Sequence, residues 1–396
     1  MTREERMRFV HSRKSDKPLY YGSYLGLDRV LGSVHPVSRS LGKEAHDEHL
    51  FISTHQAYEI WFQQIIHELR SVIDIFAFPT VPAKLVIVAA DRMERVSKIQ
   101  ALLLQQLSIL ETMSPMGFLE FRDLLFPASG FQSTQFRVVE NMLGLKSDSR
   151  IRYGKTGYCS FLADKDAAIV KEAEDSPTLL EVLNMWLERT PFVELGDFDF
   201  WAHYREAVNA HARMDHASID ANESVGPANK LKLHEDVDSW LATFDQLFDE
   251  EAYAAAVKRG ERRLSYAAFK AVIFIELYAE EPILQGPARL LKLVRDVDEL
   301  LTLWRHNHSL MVHRMLGAKM GTGGSSGFHY LKATTGKHRV FSDLFDIATY
   351  LVPDANLPPL PHDIMHRLGY VLELGSDASA AAASAAAAAE AASADA

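Results

Sequence analysis

Two predicted helices place histidine on an otherwise apolar face, and the first of them is HDEHLFISTHQAYEIWF, residues 46–62. His55 lies in the middle of this stretch. The residues that share its helical face, at spacings of three, four and seven, are all aromatic: Phe51, Tyr58 and Phe62. The imidazole therefore points inward, where it is either a core histidine held by one hydrogen bond or a group that faces a bound ligand.

The two histidines that precede His55 have a simpler interpretation. His46 and His49 flank Asp47 and Glu48 at the start of the same predicted helix. Carboxylates in a first turn complement the helix dipole, and two imidazoles three residues apart lack the third ligand of a metal site. We therefore expect these residues to cap and charge the first turn.

A second histidine-rich helix is LLTLWRHNHSLMVHRMLG, residues 300–317. His308 shares a face with apolar residues on either side of it: Leu301, Trp304, Met311 and Met315. A neutral imidazole among apolar walls is what haem iron requires of a proximal ligand. An apolar helical face of this kind is also typical of an ordinary hydrophobic core. The rival axial ligand is the thiolate of Cys159, but KTGYCSFLAD lacks the glycine-flanked loop of thiolate-haem oxygenases.

Two further segments carry polar groups that could hold a ligand. In PMGFLEFRDLLFPASGFQS, Phe118 and Arg122 are four residues apart on a short helix, which places a ring and a guanidinium on one face. The alternative is a surface arginine lying over a core phenylalanine. The loop GTGGSSG, residues 321–327, follows a helix and lacks the spacing of a phosphate-binding loop. It predicts a flexible backbone that can approach a ligand closely, with the hydroxyl of Thr322 beside it.

Composition restricts the class of protein that could carry these residues. The chain has 396 residues, 47% of them hydrophobic, and a formal net charge of -11. This acidity argues against general nucleic-acid binding, which requires a basic face. The single cysteine excludes an intramolecular disulfide, and no apolar run approaches the roughly 20 residues that cross a bilayer. The N-terminal residues lack the apolar region of a secretory signal, so we expect no membrane association and a cytoplasmic location.

Helical periodicity dominates the sequence and predicts an all-α protein. The simplest organisation is a flexible N-terminal arm at 1–17, a single large helical domain at 18–375, and a disordered alanine-rich tail at 376–396. The helices expected inside the domain, with their end signals, are 48–78, 84–113, 117–126, one that Gly144 ends, one that begins at Ser176 and Pro177, 265–280, 287–316 ended by Gly317, and 341–352.

Taken together, these segments closely resemble the tryptophan 2,3-dioxygenase family, haem enzymes that open the indole ring of L-tryptophan. The resemblance spans most of the chain in order, which is more specific than any single motif. The matching segments are YYGSYLGL at 20–27, residues 46–62 as quoted above, SILETMSPMGFLEFRDLLFPASGFQSTQFRVVENMLG at 108–144, WLERTPF at 186–192, GERRLSY at 260–266 and LWRHNHSLMVHRMLGAKMGTGGSSGFHYL at 303–331.

The resemblance implies a role for each candidate residue. It makes His308 the proximal ligand of haem b iron and His55 the distal histidine that faces the indole nitrogen. It also implies that Trp304, Ala128 and Ser129 lie along the haem. The residues that it implies for the substrate pocket are Phe51 and Phe118 as walls, Arg122 for the carboxylate, Thr322 for the amino-acid head group, and Tyr21, Tyr24 and Leu25 reaching in from a neighbouring subunit of a homotetramer.

The activity that the resemblance implies is cleavage of the indole C2–C3 bond of L-tryptophan by O2, which gives N-formyl-L-kynurenine in tryptophan catabolism. The alternative is a related haem monooxygenase that inserts one oxygen atom into tryptophan or a modified tryptophan. A third possibility is a haem sensor or helical scaffold without turnover, which would have little need for Arg122 and Thr322. The sequence departs from the family at Phe328, where a tyrosine is common.

Overall fold

The computed structural model describes residues 19–147, 150, 162–191, 193–195, 198–317, 319 and 327–369. The predicted arm and tail, Cys159 and Thr322 lie outside the described residues. The helices, numbered here in chain order, are α1 Tyr21–Leu25, α2 Leu27–Leu31, α3 Val37–Ser40, α4 His46–Phe76, α5 Ala83–Leu110, α6 Pro115–Arg122, α7 Thr134–Leu143, α8 Asp164–Asp175, α9 Leu179–Leu187, α10 Phe200–Ala221, α11 Pro227–Ala242, α12 Asp245–Phe248, α13 Glu250–Lys258, α14 Tyr266–Leu277, α15 Gln285–Leu316, α16 Gly327–Lys337, α17 Ser342–Asp346 and α18 His362–Leu368.

The all-α prediction is confirmed over the described residues. Strand structure there is limited to one antiparallel pair, β1 Glu194–Leu195 and β2 Phe198–Asp199. Short 3-10 helices occupy Asp123–Leu125, Gly130–Gln132, Ile347–Tyr350 and Asp354–Asn356. Among the described helices, none is both long enough and apolar enough to cross a membrane.

Three long helices form the centre of the fold. The 32-residue α15 packs along α5, and α5 packs along the 31-residue α4. Each of them is about 42 to 48 Å long at 1.5 Å per residue, so side chains far apart in sequence can line one shared space. Their buried residues recur every three to four positions, as Ile65, Leu69 and Val72 do on α4. These residues join one large apolar cluster that extends to Leu368.

Smaller helices pack against the long ones. Helix α7 packs against α4, and α16 packs against α15. Gly144 ends α7 as predicted, with φ of 128°. A Cβ at this glycine would lie 2.9 Å from the Cβ of Leu180 and 3.1 Å from Cγ1 of Val340. The close approach of these two side chains to the backbone therefore also requires glycine. Gly317 ends α15, likewise as predicted, with φ of 60°.

Several predicted helix boundaries are wrong. The helix expected to begin at Ser176 begins at Leu179, because Thr178 is its N-cap and forms a capping box with Glu181. Ser176 instead ends α8. The helix expected at 117–126 is α6 followed by a 3-10 turn, and the one expected at 341–352 is α17 followed by another. In both cases a 3-10 segment continues the helical pattern with tighter hydrogen bonding.

The expected role of the first turn of α4 is also wrong in part. Its N-cap is Ala45, and no side chain caps the helix. Glu48 is buried, and its carboxylate accepts hydrogen bonds from the backbone N–H groups of Val37 at 2.8 Å and Ser38 at 2.9 Å. This carboxylate therefore caps the neighbouring α3 and fixes it against α4.

Candidate active site

A cavity of about 330 Å³ lies between α4, α6, α7, α15 and α16. Its walls are mainly apolar and aromatic side chains. The two histidines singled out from the sequence, His55 and His308, both line it. They come from helices that are about 250 residues apart in the chain, so their convergence is a result of the packing of α4, α5 and α15.

Helix α4 holds the His55 ring in one tautomer. Its Nδ1 lies 2.7 Å from the carbonyl oxygen of Phe51, one turn earlier. Because a carbonyl only accepts, Nδ1 must carry the proton, and Nε2 of the neutral ring then carries a lone pair. The ring has accessible surface because it faces the cavity, and the surrounding protein still desolvates it, which lowers its pKa. At neutral pH His55 is therefore a hydrogen-bond acceptor at Nε2.

Helix α15 presents His308 among apolar neighbours. The ring stacks on that of Trp304, with centroids 5.0 Å apart and planes 5° apart. Trp304 Nε1 in turn lies 3.4 Å from the Tyr58 hydroxyl, which ties α15 to α4. Burial, with a smaller contribution from the charge of His55, lowers the pKa of His308 to about 4. The imidazole is therefore neutral at physiological pH, the state in which it can bind a metal.

The described residues offer no metal site made by the protein alone. No group of three or more histidine, cysteine, aspartate or glutamate side chains is placed there to hold an ion. His308 could therefore hold a metal as a single protein ligand, with the remaining ligands coming from a cofactor. The apolar walls and the neutral ring fit an iron porphyrin better than a hydrated ion.

Phe51 and Phe118 line one end of the cavity, and the buried Phe121 packs against both of them. Phe51 stacks on Phe118 at 5.8 Å between centroids and meets Phe121 edge-on at 5.5 Å. Helix α6 approaches the start of α4 closely at Gly117, where an added Cβ would lie 2.3 Å from a carboxylate oxygen of Asp47. Phe51 and Phe118 thus give an aromatic wall of the kind that contacts a ring-shaped ligand.

Arg122 brings a positive charge to the same end. It is the last residue of α6, it lines the cavity, and its side chain is 15% exposed. Its Nη1 lies 3.3 Å from a carboxylate oxygen of Asp123, whose side chain is 88% exposed. Because the Asp123 side chain is open to water, this ion pair is screened and weak.

The other predicted site residues do not all line the cavity. Ser129 lines the cavity and caps the 3-10 turn that begins at Gly130, while Ala128 is exposed beside it. Three predicted pocket residues on α1 do not line the cavity of their own chain and are exposed: Tyr21 at 75%, Tyr24 at 71% and Leu25 at 42%. Phe328 stacks on His313 at 4.2 Å and does not line the cavity.

Sequence reasoning missed a buried charged group on the cavity wall. Arg137 and Glu140 on α7, Arg305 on α15 and His338 after α16 all line the cavity. The signal was available in FRVVENML, where two charged residues three apart interrupt an apolar helix. Buried charges in such a run require partners, which makes them candidates for a site.

Comparison with known proteins identifies the family. The family profile described as Tryptophan 2,3-dioxygenase matches residues 7–351. The chain belongs to the tryptophan 2,3-dioxygenase family. It is 42% identical over 361 residues to Tryptophan 2,3-dioxygenase of Alteromonas mediterranea, covering 91% of this chain and 100% of the relative. For the protein of that name from Dictyostelium discoideum the identity is 43% over 362 residues, covering 91% and 90%.

A vertebrate member of the tryptophan 2,3-dioxygenase family gives the same result. Tryptophan 2,3-dioxygenase B of Danio rerio is 41% identical over 357 residues, covering 90% of this chain and 87% of the relative. The range that the family profile matches, residues 7–351, spans the positions of both cavity histidines. The family resemblance found in the sequence is thereby confirmed.

Proposed function

We propose that this protein is a haem b-dependent dioxygenase that cleaves the indole C2–C3 bond of L-tryptophan with O2 to give N-formyl-L-kynurenine. The observation that carries the proposal is the convergence of a neutral His55, a neutral His308 and Arg122 on one aromatic cavity. The family membership and the relatives' names support the same activity. A cytoplasmic location belongs to this proposal.

Haem fits the residues that line the cavity. His308 would hold the iron through its lone-pair nitrogen, with Trp304 stacked on the His308 imidazole and Ser129 on the cavity wall. The family resemblance assigns Ala128 to the haem as well. When bound, haem supplies the redox chemistry that allows dioxygen to react with an indole. The apolar walls exclude bulk water from that reaction.

The role of His55 follows from its tautomer. Its Nε2 lone pair can accept a hydrogen bond from an indole N–H, because Nδ1 is already committed to the Phe51 carbonyl. An indole nitrogen is a poor acid, so we assign His55 the task of orienting the substrate. Phe51 and Phe118 would enclose the indole ring, whose burial of roughly 150 to 250 Å² is worth about 4 to 6 kcal/mol.

The head group of the amino acid requires separate recognition. Burial of a zwitterion would cancel the gain from the indole unless the carboxylate is paired. Arg122 is the guanidinium suited to pair with it, and Thr322 is assigned to the head group by the family resemblance. Selectivity for L-tryptophan over free indole would therefore come from this end of the cavity.

Product analysis tests the proposed activity. The purified holoprotein is reduced, mixed with L-tryptophan and ¹⁸O2, and the product is analysed by mass spectrometry. A dioxygenase incorporates two labelled oxygen atoms into N-formyl-L-kynurenine. Incorporation of one labelled atom would support the related monooxygenase instead, and a haem spectrum without oxygen uptake would support a sensor.

Substitution of His55 separates substrate orientation from cofactor binding. We expect His55→Ala to lower kcat by about 10- to 100-fold through the lost hydrogen bond and positioning, while haem content stays unchanged. His49→Ala is the control, because His49 is exposed on the same helix. Loss of haem in His55→Ala would contradict the assignment.

The pH profile tests the protonation state of His55. Desolvation lowers its pKa, so the neutral acceptor form persists at and above the ordinary histidine pKa of about 6.5. Protonation at lower pH removes the Nε2 lone pair. The kcat/KM of the wild type should therefore fall only below about pH 6.5, and this acid limb should be absent in His55→Ala. An acid limb that is unchanged in the variant would rule out His55 as its origin.

A homotetramer in which α1 completes a neighbour's pocket is also part of the proposal. Its support is the exposure of a run of large apolar side chains, Leu19, Tyr20, Tyr21 and Tyr24, each at least 70% exposed. A patch of this kind is typical of an interface.

Mixed oligomers test whether the segment acts in trans. Tyr21→Ser combined with Tyr24→Ser should lower activity by about 10-fold or more through the lost aromatic contacts. Co-expression with inactive His308→Ala chains, whose α1 is intact, should restore activity in mixed oligomers. Purified mixed oligomers that remain inactive would show that α1 does not complete a neighbour's pocket.

A further inference from the structure

Glu48 is a buried carboxylate that the proposed function does not use. It lies in the first turn of α4 and is 0% exposed. Its two oxygens accept hydrogen bonds from another helix, Oε1 from the Val37 N–H at 2.8 Å and Oε2 from the Ser38 N–H at 2.9 Å. Breaking these bonds would leave the carboxylate buried and unpaired, which is costly. The contact therefore holds α3 firmly in one position.

Helix α3 depends on this contact for its own stability. It is a single turn, Val37–Ser40, and its N-cap Pro36 supplies no side-chain cap. The first amides of a helix have no partner inside it, and a helix this short is not stable alone. A second link comes from the Ser38 hydroxyl, which accepts a hydrogen bond from the Ala45 N–H at 2.9 Å. Glu48 and Ser38 together hold α3 on the start of α4.

The position of α3 bears on the segment that follows Arg122. Helix α3 packs against the 3-10 turn Asp123–Leu125, and Arg122 is the N-cap of that turn. Leu125 of the same turn packs against a small apolar cluster, whose buried members are Ala45, Met113 and Phe121. The turn is thus supported both by α3 and by this cluster.

Arg122 needs such support because its own helix is short. Helix α6 has eight residues, and Arg122 is the last of them. Helix ends fray, and short helices are held mainly by tertiary packing. The Arg122 backbone belongs both to the end of α6 and to the start of the 3-10 turn. The contacts that hold the turn therefore set the point from which the guanidinium enters the cavity.

We propose that Glu48 is a positioning residue for the substrate: acting through α3 and the turn Asp123–Leu125, it fixes the place from which Arg122 meets the carboxylate of the amino acid. This inference rests on the proposed function, because it requires Arg122 to bind that carboxylate. Glu48 does not line the cavity, so its effect on the substrate is transmitted by these contacts. A misplacement of about 1 Å at a binding group can cost on the order of 100-fold in rate, so the effect is measurable.

The test compares Glu48→Gln and Glu48→Ala with a matched control, Asp343→Asn. Glutamine has one carbonyl oxygen and can keep one of the two hydrogen bonds, whereas alanine removes both. Asp343 is likewise 0% exposed, and its carboxylate accepts hydrogen bonds from the backbone N–H groups of Arg263 at 2.7 Å and Leu264 at 2.6 Å. Asp343 does not line the cavity, and its partners lie on the segment before α14.

Steady-state kinetics are measured with L-tryptophan and with tryptamine, which lacks the carboxylate. We expect Glu48→Ala to lower kcat/KM for L-tryptophan by about 10-fold, mainly through KM, and Glu48→Gln by about 3-fold, with tryptamine unchanged. Asp343→Asn should leave the ratio of the two substrates unchanged. Equal losses for both substrates in the Glu48 variants would mean a general structural role, and unchanged kinetics would mean that α3 does not position Arg122; either result overturns the inference.

A double-mutant cycle shows whether Glu48 acts through Arg122. In an Arg122→Met background, Glu48→Gln should cause no further loss for L-tryptophan, because the group that it positions is gone. Equal losses in the two backgrounds would overturn the inference. Circular dichroism identifies a variant that fails to fold, and the glutamine variant carries the test if the alanine variant does so.

Mixed oligomers separate this role from an effect on α1, which precedes α3 in the chain. Co-expression of Glu48→Ala chains with His308→Ala chains should not restore activity, because Glu48 and Arg122 act within one chain. Restored activity in purified mixed oligomers would place the effect on a neighbour's pocket and overturn the inference.

Failure of the proposed function has a different signature, because the wild type would then form no N-formyl-L-kynurenine. Titration calorimetry of L-tryptophan and tryptamine tests the role of Glu48 without turnover. The Kd of L-tryptophan should rise about 10-fold in Glu48→Ala, and that of tryptamine should stay constant. An unchanged Kd of L-tryptophan would overturn the inference.

Discussion

His308→Ala is expected to abolish the Soret absorbance of the purified protein and, with it, more than about 99% of its tryptophan-dependent oxygen uptake. His308 is the cavity imidazole that burial keeps neutral, with its pKa lowered to about 4. Because His308 is the proposed iron ligand, alanine at this position would leave the porphyrin iron without it. Absorbance spectra and haem content per chain measure the effect.

The control for this variant is His306→Ala. His306 lies on the same helix, two residues earlier, but it is exposed and does not line the cavity. It should keep full haem content and activity. Circular dichroism separates loss of haem from loss of fold, and retention of the full Soret band and activity in His308→Ala would refute the role of His308.

Arg122→Met is expected to lower kcat/KM for L-tryptophan by about 10- to 100-fold. A hydrogen bond to a charged group is worth about 1.5 to 3 kcal/mol, and each 1.4 kcal/mol is a factor of ten. Methionine keeps a long unbranched side chain while it removes the charge. Steady-state kinetics with L-tryptophan and with tryptamine, which lacks the carboxylate, should show a loss for the first compound alone.

The control at this end of the cavity is Asp123→Asn. Asp123 is paired with Arg122 at 3.3 Å, but its side chain is 88% exposed, so the pair contributes little. This variant should have nearly wild-type kinetics. An equal loss of kcat/KM for tryptamine and tryptophan in Arg122→Met would show that the guanidinium acts on something other than the substrate carboxylate.

Local sequence pattern predicted the parts of the site that depend on one helix. The three- and four-residue spacing of apolar side chains on α4 and α15 places His55 and His308 on buried faces wherever these helices pack. The hydrogen bond from His55 to Phe51 is likewise local, because it joins residues one turn apart. Helix ends at Gly144 and Gly317 were predictable for the same reason.

The sequence pattern was a poorer guide to which polar side chain caps which helix. Glu48 looks like an ordinary first-turn carboxylate, yet it caps α3. Thr178 rather than Ser176 begins α9, because its hydroxyl can bond the third backbone amide while Glu181 reaches back. Such choices between nearby polar residues depend on geometry that spacing alone does not specify.

The sequence by itself determined the helical class, the two inward-facing imidazoles and the family. Only the tertiary structure decided that the two imidazoles share one cavity and that Arg122 reaches it. It also decided that Arg305 meets Glu140 from a helix 165 residues away. The physical reason is that helix periodicity specifies which side chains face inward, whereas the packing of α4, α5, α7 and α15 specifies which of them meet.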